Sequence, residues 1–363
     1  MTDKYWVPAA GTSTGTWDNA TTTNWSLTSG GAGGAAVPTA TDNVIFDANS
    51  DNGTTFTVTH STGAACLSLT ASALDFQMTL TGTTALTLSG SLTLPATNFV
   101  KGGTGTLTFS GGTANRTITT NGNTLSGSIT INCAGFSVTL GSALTLASGR
   151  TFTFTNATTL DLAGYNVTSG NLTSTGATTR ALTLGSGTIT LTDASGTVLN
   201  FTGATNLALS AASSTLALTG AGASTKTFAG NGYTYGTVRL TGGSTGAYAF
   251  TGANTFGDIG NTGAGACVVT LPASTTQTLT TFSFTGTAGN LVTIQSATAG
   301  TAATISKASG VVSANYLSLK DSAATGGATF YAGANSTNVS GNSGWIFTAP
   351  PSGANTGAFF FAF

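Results

Sequence analysis

Residues 85–94 read ALTLSGSLTL, and two later stretches repeat the phrase: SVTLGSALTL at 137–146 and ALTLGSGTITL at 181–191. Each holds two apolar–Thr–apolar triplets joined by a Gly/Ser corner. In an extended chain successive side chains point to opposite faces, so each triplet sends two apolar side chains one way and a threonine the other. The doublet recurs at Leu107/Phe109, Ile129/Ile131, Phe152/Phe154, Leu160/Leu162, Leu207/Leu209, Leu216/Leu218 and Phe282/Phe284. Its spacing suits the short strands of a sandwich or barrel as well. Very short strands, single Gly/Ser corners and the recurrence of the unit itself favour a solenoid. Three strand-and-corner pieces make a rung of roughly 20–30 residues. Leu, Val and Phe then stack inside, while Thr, Ser and Asn stand outside. The expectation is an all-β protein whose body, from about residue 63 to 347, is a right-handed β-solenoid or a closely related stacked-β body.

Composition agrees. Only 5% of the 363 residues are charged, against about 25% in ordinary soluble domains. All ten acidic residues are Asp, and there is no Glu. Helix formers such as Glu, Lys, Arg and Met are nearly absent, and residues suited to strands and turns replace them. The nine basic residues are scattered from Lys4 to Lys320, and the net charge is −1. Nucleic-acid binding needs clustered cations to displace phosphate counterions, so no such partner is expected. Weak charge also favours association, and a homo-oligomer is expected, a trimer if the chain forms a fibre.

Cys66, Cys133 and Cys267 are odd in number and unpaired in spacing, which reads as three small buried residues. The opening MTDKYWVPAAG has no basic segment followed by an apolar run, so no signal peptide is read and the chain is expected to stay in the cytoplasm until assembly. No window reaches the length of a membrane helix, and no membrane insertion is expected.

The chain divides by composition into four parts. Residues 1–62 hold Trp6, Trp17 and Trp25, the acidic residues Asp18, Asp42, Asp47 and Asp51, and His60, the single histidine. They read as an N-terminal cap or attachment module, because the first rung of a solenoid otherwise exposes a bare edge. Residues 63–225 carry the Leu-Thr-Leu repeat, and 226–347 form a second β-rich module. Residues 348–363, TAPPSGANTGAFFFAF, read as a linker followed by an apolar tag of Phe359, Phe360, Phe361 and Phe363. That tag would either cap the last rung or anchor in a partner's pocket.

Candidate chemistry is sparse. Asp47, Asn49 and Asp51 stand at positions 1, 3 and 5 of an oxygen-rich calcium loop, but position 6 is Asn52 and position 12 is Val58, which departs from the calcium pattern. The alternative is a turn whose Asx side chains bond their own backbone. His60 stands alone, without Glu or a Ser-centred elbow, and gives acyl transfer little support. Glycoside hydrolysis needs two carboxylates, which stacked rungs could draw from Asp161, Asp193, Asp258 and Asp321. Trp6, Trp17 and Trp25 would serve as a sugar-stacking platform or as the core of the first rungs. No catalytic, metal or cofactor residue is assigned, and no cofactor is expected.

Two blocks carry a resemblance. The opening YWVPAAGTSTGTWDNATTTNWS with VPTATDNVIFDANS, and the stretch from Lys226 (KTFAGNGYTYGTVRLTGG, TFGDIGNTG, and TQTLTTFSFTGTAGNLVTIQSATAG running on to SGWIF), resemble β-rich structural proteins of tailed bacteriophage virions. Together they cover about half of the chain. The resemblance implies a non-enzymatic fibre, tail component or capsid decoration that contacts other virion proteins and, in a receptor-binding part, a host surface glycan. It supplies no catalytic residues. The rival readings are a bacterial adhesin of β-helix type, which needs an export signal, and a tailspike-like glycan hydrolase.

Overall fold

A computed structural model of the chain describes residues 1–8, 12–243, 245–262 and 265–351. The Phe-rich tag and residues 352–358 before it lie outside the described residues. The described residues form forty strands and no helix. They wind into a β-solenoid of about 13 turns. Among the described residues, no helix is long and apolar enough to cross a membrane.

Two compact units divide the chain. Unit 1 comprises residues 1–190 with 203–210, and unit 2 comprises 191–202 with the chain from 211 onward. In unit 1 each rung has three strands, one in each of three sheets, here A, B and C. Strand Leu69–Ala71 belongs to A, Met78–Thr81 to B and Leu86–Leu88 to C, and the next rung begins again in A with Leu92–Thr93. Every strand in this cycle pairs in parallel with the strands one rung before and after it. That parallel stacking excludes a sandwich of antiparallel sheets. Successive partners Leu69, Leu92 and Ile118, and then Val138, Leu160 and Leu182, lie 22 to 26 residues apart.

Register locks like residues into columns. Leu86, Leu107, Ile129, Phe152 and Leu172 are consecutive partners inside sheet C, with Leu88, Phe109, Ile131 and Phe154 beside them. All nine are buried. A one-residue slip would turn the whole column to solvent, so the apolar alternation fixes the pairing. At the A-to-B corners Asn98 and Asn121 adopt left-handed backbone at φ 59° and 49°. Each sends its side-chain amide back one rung, Asn98 to the Leu74 carbonyl at 2.7 Å and Asn121 to that of Leu94 at 2.8 Å. The repeated phrase does not occupy one corner. Residues 85–94 turn from C to A, whereas 137–146 and 181–191 turn from A to B.

Residues 1–62 belong to the same stack. Strands Asp3–Trp6 and Asn43–Phe46 lie in sheet A, and Thr14–Trp17 and Phe56–His60 in sheet B. What is particular to this end is strand Trp25–Ser26, which pairs antiparallel with Asp3–Trp6 at the edge of sheet A.

Unit 2 contains none of the strands of sheet A. Its long strands turn a corner within themselves. In Thr234–Leu240 both Tyr235 and Val238 are buried, and in Thr255–Asn261 both Phe256 and Ile259 are. That spacing of three breaks the alternation of two, so the strand must bend between them. Gly236 and Gly257 lie at the two bends. A Cβ on Gly236 would come within 2.5 Å of the Ala212 and Ser214 carbonyl oxygens, so only glycine fits there. Phe228, Tyr235, Phe250 and Phe256 fill the core behind, with ring centroids 4.9–6.0 Å apart.

Candidate functional site

The outward positions of unit 1 form threonine columns. On sheet C, Thr87, Thr108, Thr130, Thr153 and Thr173 are consecutive ladder partners. Sheet B carries Thr14, Thr57 and Thr79 beside Thr16, Thr59 and Thr81, and later Thr124, Thr145 and Thr168. Parallel strands lie about 4.8 Å apart, so each column repeats hydroxyl and methyl groups at that interval. No strand of sheets B and C in unit 1 presents a charged side chain outward, because the one cation among them, Lys101, is buried. β-Branching favours the extended backbone while the hydroxyl meets water.

The basic residues go inside. Lys4, Lys101, Arg116, Arg180 and Lys226, five of the nine, are buried. Buried cations normally sit beside carboxylates. Three of these bond to backbone carbonyls of the corner just before them, and the three corners share a pattern: GTANR at 112–116, GATTR at 176–180 and GASTK at 222–226. The leading glycine has φ of 88°, 95° and 102° in turn. Arg116 donates through Nη2 to the Gly111 carbonyl. Arg180 donates through Nη1 to Gly176 and Thr178 at 3.2 and 2.6 Å, and through Nε to the Ser174 hydroxyl at 2.9 Å. Lys226 donates to Gly222 and Ser224 at 2.9 and 3.1 Å. Aromatic faces add to the hold: Phe154 lies 5.9 Å from the Arg180 guanidinium and Tyr248 lies 5.2 Å from the Lys226 ammonium. Burial pushes the Lys226 ammonium below its ordinary pKa. The spacing Gly-x-x-x-Arg/Lys was the available signal for these clips.

The remaining candidates resolve into structure. Asp47 accepts from the Asn49 amide at 3.0 Å and the Ser50 hydroxyl at 3.3 Å, and Asp51 accepts from the Gly53 amide at 2.7 Å. Asn49 donates to the Ser29 hydroxyl at 2.8 Å. These are Asx turns, and no group of three metal-ligating side chains occurs among the described residues. Trp6, Trp17 and Trp25 are buried and pack on one another and on Phe46, with Trp6 and Trp17 at 5.1 and 5.5 Å from Trp25. They form the core of the first rungs rather than an exposed platform. His60 is buried beside Trp17, its ladder partner.

The four central carboxylates are dispersed. Asp161 stands outward on sheet A between Thr139 and Thr183 and accepts from the Ala163 amide. Asp193 follows strand Thr188–Leu191. Asp258, between Thr237 and Thr281, pairs with Arg239 and accepts from the Ser283 hydroxyl at 2.7 Å. Asp321 is buried at the corner after Leu317–Lys320 and takes the Gly300 amide at 3.0 Å. None is the ladder partner of another. A groove of about 450 Å³ runs along the C-to-A corners past Leu67, Ser89 and Gly111–Thr113, and a second of about 260 Å³ passes Asn156–Thr158 and Thr179–Ala181. Small apolar and hydroxyl residues line most of both.

Cys66, Cys133 and Cys267 are free and buried. Burial raises all three thiol pKa values, that of Cys267 to about 11. Such thiols stay protonated and unreactive at neutral pH.

No protein-family model, curated protein or solved structure matches the chain.

Proposed function

We propose that this chain is a non-enzymatic structural protein of a tailed-bacteriophage virion: a fibre, tail component or capsid decoration. The observation that carries the reading is the division of side chains in unit 1. Threonine fills the outward columns, while Lys4, Lys101, Arg116 and Arg180 are drawn inside, the last three onto backbone carbonyls. A rigid, uncharged, repetitive face suits lateral packing against other subunits or contact with a neutral glycan. It offers little purchase for acid–base chemistry, which gathers titratable groups in a cleft. The resemblance of the two blocks to virion proteins supports the same reading, and self-association into a closed oligomer follows from it.

The test is direct. Purified tailed-phage particles from a lysate that carries this gene are digested, and peptides of the chain are sought by mass spectrometry beside those of the capsid. Their presence at structural copy number is expected. Capsid peptides without this chain would refute the reading. The enzyme alternative is tested by incubating the protein with host surface polysaccharide: sustained release of oligosaccharides, lost in Asp161→Asn or Asp258→Asn, would replace it.

A further inference from the structure

We propose that His60 is a proton-operated latch on the N-terminal end of unit 1, and that taking up a proton opens the first rungs. His60 ends strand Phe56–His60, points inward and is 1% exposed. Trp17 is its ladder partner on one side. Gly82 closes the other side: a Cβ there would stand 2.7 Å from the ring Cε1 and 2.8 Å from Nδ1. A Cβ on Gly105 would stand 2.9 Å from the same Cε1. The ring thus fills a slot walled by backbone. Neither of its nitrogens bonds to a protein group.

The slot tolerates a neutral ring and opposes a charged one. An imidazolium would carry two N–H donors without an acceptor, and an unpaired buried charge is strongly disfavoured. The charged groups around it make matters worse. Lys101, buried in strand Phe99–Lys101, is the charge that acts on the ring, and it has the same sign. Strand Thr14–Trp17 brings no titratable group, and Asp18 beyond it turns its carboxylate to the amides of Ala20 and Thr21. Gly82 and Gly105 bring none. Burial, with the Lys101 charge second, lowers the His60 pKa from 6.5 to about 4. The open form therefore binds a proton below pH 6.5 that the closed form refuses until about pH 4. Closure is fully stable above pH 6.5 and weakens as pH falls from 6.5 towards 4.

Opening is local because, among the described residues, strand Thr14–Trp17 stands at the edge of sheet B and is held by a ladder partner on one side only. The readout is clean because the chain has one His and no Glu, and a free Asp side chain titrates at about 3.9. Between pH 4.5 and 6.5 no other side chain of ordinary pKa changes charge.

Native-state hydrogen exchange on the full chain tests the latch, with opening constants corrected for the intrinsic pH dependence of exchange. Peptides covering residues 14–60 should show an opening constant that rises by up to about tenfold per pH unit between 6.5 and 4.5. Peptides covering 107–173 should stay flat. In His60→Gln, whose side chain is neutral throughout, the rise should vanish. A flat wild-type profile, an equal rise in the variant, or a rise shared equally by 107–173 would overturn the proposal. Should the variant not fold, the single His ring is followed by NMR in the wild type. A ring that stays neutral in the closed form down to pH 5 upholds the latch, and one that titrates near 6.5 in the intact fold overturns it.

Discussion

Replacing Lys101 by Met should make the protein more stable at neutral pH, against the usual direction of core substitutions. The side chain is 2% exposed, and its ammonium has one acceptor in the structure, the Gly102 carbonyl at 2.7 Å. Burial lowers its pKa from 10.5 to about 8. At 1.36 kcal/mol per pKa unit, holding the charge inside costs the fold about 3 kcal/mol at pH 7. Methionine keeps the unbranched shape and loses only the bond to Gly102, about 1 kcal/mol. The net expectation at pH 7 is a gain of about 2 kcal/mol. The sign of the pH dependence follows from the lowered pKa. Between pH 8 and 10.5 the unfolded chain still binds a proton that the fold has released, so wild-type stability gains from this group as pH rises through that window. The advantage of Lys101→Met should therefore shrink from about 2 kcal/mol at pH 7 to zero or slightly below by pH 10.5. The assay is urea unfolding of both proteins at half-unit steps from pH 7 to 10.5, read as a difference. The buried thiols and the buried phenols of Tyr235 and Tyr248, whose pKa values burial raises, titrate in both proteins and cancel. A variant that is less stable than wild type by a constant amount across the range would refute the reasoning.

Arg180→Met should cost about 3 kcal/mol in the same urea assay, because the Gly176 and Thr178 carbonyls and the Ser174 hydroxyl lose a charged donor inside the core. A loss under 1 kcal/mol would show that the corner closes without its clip. Phe154→Ala should cost about 3–5 kcal/mol, while Thr130→Ala on the outward column of the same sheet should stay within about 0.5 kcal/mol. Equal effects would mean that the assigned faces are wrong. Gly82→Ala should lower the thermal midpoint by several degrees, since the residue has φ 148° and its Cβ would meet the His60 ring. Adding Ca²⁺ or a chelator should leave the midpoint unchanged, because Asp47 and Asp51 already accept from their own turns. A rise with Ca²⁺ that is lost in Asp47→Asn would contradict that assignment.

The sequence alone determined that the chain is β throughout, which side chains of the repeated triplets face inward, and that short strands turn at Gly and Ser. All three follow from local rules: alternation of two in an extended chain, and left-handed backbone at corners. ALTLSGSLTL at 85–94 is legible because each triplet carries its own face assignment. Local rules do not say which triplets meet. The same phrase turns from C to A at 85–94 and from A to B at 137–146, since pairing depends on a partner strand some 22 residues away. Tertiary structure likewise decided that Tyr235 and Val238 are both buried, a spacing that looks like broken alternation until the strand is seen to bend at Gly236. It placed the cations as well. The burial of Lys226 depends on a corner whose backbone, shaped by a left-handed Gly222, turns carbonyls towards it. His60 is the same kind of case. A lone histidine says nothing about its surroundings, and what matters here is the pairing of Trp17, Gly82 and Lys101 around it, residues 22 to 43 positions away that only the stacking of rungs brings together.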